Sequence, residues 1–194
     1  MKNKAIALLL LALSLPALAA LEVAGVKFDD KAAVGAGETV INGAGLRGVL
    51  FIKGYAMALY LPQKAATMAD VLALKGAKRV RLILLRETSG ETFADALASG
   101  IHKNHSEQEI AALKARIEIL KATMLTIGTA AKGAAIHLDW LPEVSSGVTR
   151  LTVNGEKKGE DIAGEDFYRA LLKIWIGDKP VQEDLKEHLL GKAQ

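Results

Sequence analysis

Hydrophobic and polar positions along this chain change period in blocks. Leu21–Phe28 alternates loosely, with Leu21, Val23, Val26 and Phe28 apolar, and reads as a strand closed by Asp29-Asp30. A second strand starts at Glu38–Ile41 and runs into Asn42-Gly43-Ala44-Gly45. Val49–Leu61 is rich in Val, Ile, Leu, Phe and Tyr, a buried-strand composition, ended by Pro62. Gly54 interrupts it and predicts a bend or bulge. Thr67 opens a short helix through Met68, Val71 and Leu72, closed by Gly76, and Arg79–Arg86 is strand again.

The middle of the chain turns helical. Thr88-x-x-Glu91 has the form of a capping box, followed by Phe93, Leu97 and Ile101 four apart on one face. Ser106-x-x-Glu109 is a second box and opens Ile110, Leu113, Ile117, Leu120, Met124 and Ile127, with Gly128 as the stop. The two helices join through His102–His105 and predict an antiparallel pair. Ala134–Leu141 and Val148–Val153 return to strand. Asn154-Gly155 predicts a type I′ hairpin into Glu156–Ile162. Gly164-Glu165-Asp166 starts a helix carrying Phe167, Leu171, Ile174 and Trp175, and Val181–Leu190 is a last amphipathic helix. Strands, helices, strands, helices in separate blocks predict an α+β fold with a mainly antiparallel sheet.

The first residues have a different character. Lys2 and Lys4 precede the apolar run Ala5–Leu15, Pro16 breaks it, and Ala17-Leu18-Ala19 is a small-x-small cleavage pattern. This pattern predicts a secretory signal peptide over 1–19, leaving a single domain over 20–194. The run is shorter than the about 20 residues a spanning helix needs. The mature protein is expected to be periplasmic or secreted, with no stable membrane anchor. Zero cysteines exclude a lipoprotein anchor and disulfides, so the core alone must hold the fold. The chain carries 25 Lys+Arg and 22 Asp+Glu, and residues 1–19 hold two of those lysines and no acid, so the remainder is nearly neutral. No basic block interleaved with aromatics marks a nucleic-acid surface.

Few catalytic templates fit. Gly43-x-Gly45-x-x-Gly48 has the letters of a dinucleotide motif, but strand follows it, and the phosphate site of that motif needs a helix N-terminus. His102, His105, His137 and His188 lack metal-ligand spacing, so neither metal nor cofactor is expected. Arg47 is the notable group. In a regular strand it shares a face with Val49, Phe51, Lys53 and Tyr55. It is either a solvated strand-end charge or a fork-shaped anion receptor beside an apolar surface.

Asn42–Arg47 (NGAGLR), Lys53–Pro62 (KGYAMALYLP), Arg79–Arg86, Glu91-Thr92-Phe93 and GEDFYRALLKIWIGDKP from Gly164 together resemble the chalcone isomerase-like family, in its bacterial exported branch, over essentially the whole mature chain. The resemblance implies an open-faced β-sandwich: a large antiparallel sheet with a layer of helices over one face. In the isomerases the arginine matching Arg47 polarises the carbonyl of the substrate during flavanone ring closure. Their other polar groups fall here at Tyr55, Phe93, Gly100 and, on the late helix, near Ile174. Three of these positions lack a donor, and oriented donors carry much of such catalysis. Family members that bind fatty acids keep an arginine and a nearby tyrosine as a carboxylate clamp, which Arg47 and Tyr55 match. Eight residues of straight strand would separate that pair by about 26 Å, so the strand must bend near Lys53-Gly54 for both to meet one ligand. The resemblance therefore implies a binder of a small apolar acid, with Arg47 and Tyr55 as its ligand-binding residues. The alternative is an intramolecular lyase or isomerase on an unknown substrate, with Arg47 catalytic.

Overall fold

The computed structural model describes residues 21–192. The expected signal peptide at 1–19 lies outside the described residues. In chain order the elements are β1 (Leu21–Val23), β2 (Val26–Phe28), β3 (Lys31–Val34), β4 (Gly37–Val49), β5 (Ile52–Leu61), α1 (Met68–Ala73), β6 (Lys78–Leu84), β7 (Thr88–Ser89), α2 (Gly90–Lys103), α3 (Glu107–Thr126), β8 (Thr129–Ala130), β9 (Ala135–Leu141), β10 (Val148–Val153), β11 (Glu156–Ala163), α4 (Glu165–Ile176) and α5 (Glu183–Leu189). Seven strands form one antiparallel sheet in the order β11-β10-β9-β6-β5-β4-β3. The α+β expectation holds, with the helices gathered on one face.

Strand alternation sorts the core. Met57, Leu59 and Leu61 of β5, Val80, Leu82 and Leu84 of β6, and Ile136 and Leu138 of β9 point toward the helices. There they meet Phe93, Leu97 and Ile101 of α2, Leu113, Ile117 and Leu120 of α3, and nearly all of α4. The opposite face is covered near β4 and β5 by the β1–β2 hairpin, whose Val23 and Phe28 pack on Ala56, Ala58 and Tyr60. Farther along it is polar, where forked ion pairs join Arg79 to Asp139 and Arg150 to Asp161.

Several local expectations hold and several are corrected. Ser106 and Glu109 make the reciprocal capping box at the start of α3. At α2 the cap is Ser89, accepting from the Thr92 backbone N–H, so Thr88 and Glu91 do not form the expected box. Leu21–Phe28 is two strands, reversed at Ala24-Gly25, both with positive φ. The expected Val49–Leu61 strand is also a correction: the chain reverses at Leu50-Phe51, leaving Val49 in β4 and starting β5 at Ile52. An unbroken apolar run hides that turn because it holds none of the residues that turns ordinarily use. Finally, α4 is buried on almost every side, including Tyr168, Ala170 and Leu172, because it is packed among the sheet, α1, α2 and α5.

Gly43 and Gly45 have a structural explanation. A Cβ at Gly43 would collide with the His188 carbonyl, and one at Gly45 with Leu185 of α5. Their absent side chains let α5 lie directly on β4, so the dinucleotide-like spacing is a packing feature.

Candidate functional site

The hairpin turn changes the geometry at Arg47. Arg47 on β4 and Tyr55 on β5 are directly opposed cross-strand partners. Such partners have Cα atoms about 4.5–5.5 Å apart, against the about 26 Å that a single straight strand would impose. The expected placement of Arg47 on one strand face with Val49, Phe51, Lys53 and Tyr55 is thus replaced by pairing across a ladder. Register shifts by one residue here: Arg47 faces Tyr55 while Gly48 faces Lys53, leaving Gly54 as the extra residue of a bulge. The expected irregularity at Gly54 is present, and a reversal of the chain, beyond a bend, brings the pair together.

Each partner is held by a residue far along the chain. Gln182, the residue before α5, accepts from Arg47 Nη1 at 3.1 Å and from the Gly48 backbone N–H at 3.0 Å. Its Nε2 donates to the Leu46 carbonyl at 3.3 Å. Arg47 Nη1 also donates to the Gly48 carbonyl. These bonds use one nitrogen of the guanidinium, and among the described residues Nε and Nη2 make none. That is the edge with which arginine engages a carboxylate through two parallel bonds. Tyr55 Oη accepts from Trp175 Nε1 of α4 at 2.9 Å. Burial pushes the phenol up to about 12, against weaker opposing effects of the Trp175 bond and the Arg47 charge. Tyr55 therefore keeps its proton at neutral pH and can donate it to a ligand oxygen.

A cleft of about 420 Å³ opens beside this pair, between the β4–β5 hairpin and helices α2 and α4. That is within the size range of small-molecule sites. The positions singled out from the resemblance converge on it: Arg47, Tyr55, Phe93, Gly100 and Ile174 all line its wall. A Cβ added at Gly100 would lie 2.7 Å from Ile174 Cγ2, so the isoleucine fills the space that a side chain at position 100 would need. Phe93, Leu97, Ile174 and Leu84 make the wall largely apolar. Among the described residues three cations line it, Arg47, Arg86 and Lys103, and no carboxylate does.

Gln182, Trp175, Arg86 and Lys103 are functional candidates that sequence reasoning did not single out. Lys103 had a signal: Phe93, Ala96, Gly100 and Lys103 follow one stripe of α2 at spacings of three and four. Gln182 had none, because its role depends on α5 docking against a strand far away in sequence.

The histidines stay outside this site. His105 Nδ1 lies 2.8 Å from the Ile101 carbonyl at the α2–α3 junction. His137 points from β9 to the sheet face opposite the helices, since Ile136 and Leu138 face the core. Burial, with the charge of Arg79, lowers its pKa to about 4.

No curated protein matches the sequence. Among solved structures, a fatty-acid-binding protein of Arabidopsis thaliana superposes with a TM-score of 0.58 at 16% identity, covering 86% of this chain and 92% of that one. At that identity the likeness is one of fold. A family model described as chalcone isomerase-like matches residues 20–191, nearly the full described length. The chain belongs to the chalcone isomerase-like family.

Proposed function

We propose that this protein is an exported binder of a small apolar acid, fatty-acid-like in character, with Arg47 as anion receptor and Tyr55 as second donor, and without ring-closing turnover. The observation that carries the reading is the pair itself. Among the described residues, a guanidinium with a free fork edge stands opposite a protonated phenol, at the wall of an apolar cleft lined by cations and no carboxylate. A carboxylate head would meet the pair, and its chain would lie along Phe93, Leu97 and Ile174. The fold similarity to a protein described as fatty-acid-binding supports this choice of ligand. An isomerase would need oriented polar groups where Phe93, Gly100 and Ile174 stand.

Calorimetry with a medium- or long-chain fatty acid and the matching alcohol tests the assignment. A charge-assisted bond contributes roughly 1.5–3 kcal/mol, so Arg47→Ala should weaken the acid by about tenfold or more. Arg47→Lys should recover part of the loss, since it keeps the charge without the planar fork. The alcohol should bind more weakly and be nearly indifferent to Arg47→Ala. Equal binding of acid and alcohol to both proteins would remove Arg47 from the site. Chalcone cyclisation above the buffer rate, abolished in Arg47→Ala, would favour the lyase reading instead. Export is tested by N-terminal sequencing of secreted protein, expected to begin at Ala20 or Leu21.

A further inference from the structure

The turn that creates the Arg47–Tyr55 pair is itself unusual. Its four residues are apolar and project into solvent: Val49 is 56% exposed, Leu50 94%, Phe51 100% and Ile52 56%. Among the described residues the other large exposed hydrophobics are Ile119 and Leu125 of α3. Leu50 has φ +53°, in the left-handed region that glycine or asparagine occupies more readily. Folding asks for neither a leucine in that backbone nor a phenylalanine in water.

The tip is continuous with the cleft. Val49 and Ile52, its shoulders, line the cleft wall together with Arg86 and Lys103. Lys53 follows the tip immediately and is exposed. An apolar projection is thus set among cations, at an opening whose lining, among the described residues, holds no carboxylate. Apolar side chains that enter the acyl boundary while neighbouring Lys and Arg meet anionic headgroups are the means by which proteins sit on a bilayer surface.

We propose that the Val49–Ile52 tip docks on an anionic lipid surface and sets the mouth of the cleft against it. An acyl acid partitioned in the bilayer could then pass along Val49 and Ile52 into the cleft without crossing bulk water. The docking stands on the tip and its cations; only the identity of the cargo rests on the function proposed above.

The test uses the chain starting at Leu21, so that the apolar run at 5–15 plays no part; its sheet and core are built wholly from described residues. Vesicles of phosphatidylcholine, with and without phosphatidylglycerol, are the probe. The protein should co-sediment with the anionic vesicles, and salt should weaken the association. Leu50→Asp with Phe51→Asp should reduce it about tenfold or more. In Phe51→Trp the new indole should shift to the blue on anionic vesicles and be quenched by brominated acyl chains. Binding of fatty acid presented from solution should survive the double aspartate change, because Leu50 and Phe51 do not line the cleft. Arg47→Ala should impair that solution binding while largely preserving vesicle docking. If vesicles dock but no acid binds from solution, the ligand reading fails and the docking surface stands. The proposal is overturned if wild-type protein ignores anionic vesicles, or if the aspartate variant binds them equally well. It is also overturned if sedimentation velocity shows a dimer that the aspartates dissolve, with no vesicle binding, since the tip would then meet a second copy of the chain.

Discussion

Two hairpins near opposite edges of the sheet reverse the chain in contrasting ways. Between β10 and β11 the turn is Asn154-Gly155, with φ +52° and +84°. These residues tolerate left-handed backbone, and a type I′ turn requires it at both positions. Asn154 also ties the turn inward, exchanging bonds with the backbone N–H and carbonyl of Ala135. Between β4 and β5 the turn is Leu50-Phe51, with Leu50 at φ +53° and both side chains in water. The first turn suits its backbone and its solvent. The second suits neither, and it stands at the lip of the cleft. Turn residues that satisfy local physics report how the chain folds; residues that violate it point to something outside the folded chain.

Several measurements would break or sharpen that contrast. The largest effect belongs to the cleft-side hairpin: Arg47→Ala should lose about 1.5–3 kcal/mol of acid binding, with little change in melting temperature. A comparable loss of stability would make Arg47 a structural clamp. Next, placing the cleft-side turn at the other edge, Asn154→Leu with Gly155→Phe, should destabilise by about 2 kcal/mol from forced left-handed backbone, with acid binding intact. Unchanged denaturant midpoints would show that turn chemistry matters little at either edge. A smaller effect is expected from His137, which faces Thr152 of β10. Its folded pKa of about 4 lies below the usual 6.5. Between these values the unfolded chain holds more protons, so stability falls as pH drops through the window. After allowance for its partial exposure the loss should be about 1 kcal/mol. His137→Gln should flatten that part of the stability–pH curve, and an unaltered slope would assign it to carboxylates. The smallest effect is Leu50→Gly, which should stabilise by about 0.5 kcal/mol, relief of strain partly offset by glycine's greater freedom when unfolded. A destabilisation would mean that Leu50 packs on something within the fold.

Much of this architecture was legible because periodicity and capping are local. The α2–α3 pair, the Ser106–Glu109 box and the Asn154-Gly155 turn follow from residues within a few positions of one another. Arg47 and Tyr55 were legible as candidates, but their adjacency was not. It depends on a turn written in Leu and Phe and on a bulge at Gly54 whose effect is seen only with the partner strand in place. Gln182 and Trp175 were invisible as site residues because their bonds reach 135 and 120 positions along the chain. The same holds for Gly43 and Gly45, whose meaning is the helix laid across them.

Those long reaches have a temporal consequence. The fork of Arg47 is aimed by Gln182, and the phenol of Tyr55 by Trp175, so both are set by residues more than a hundred positions farther along the chain. Contacts of such sequence separation form slowly, after loop closure has been overcome. The strands bearing the pair can align early, yet neither side chain is aimed until α4 and the segment before α5 have packed. A folding chain would therefore hold Arg47 and Tyr55 side by side before either is aimed at the cleft.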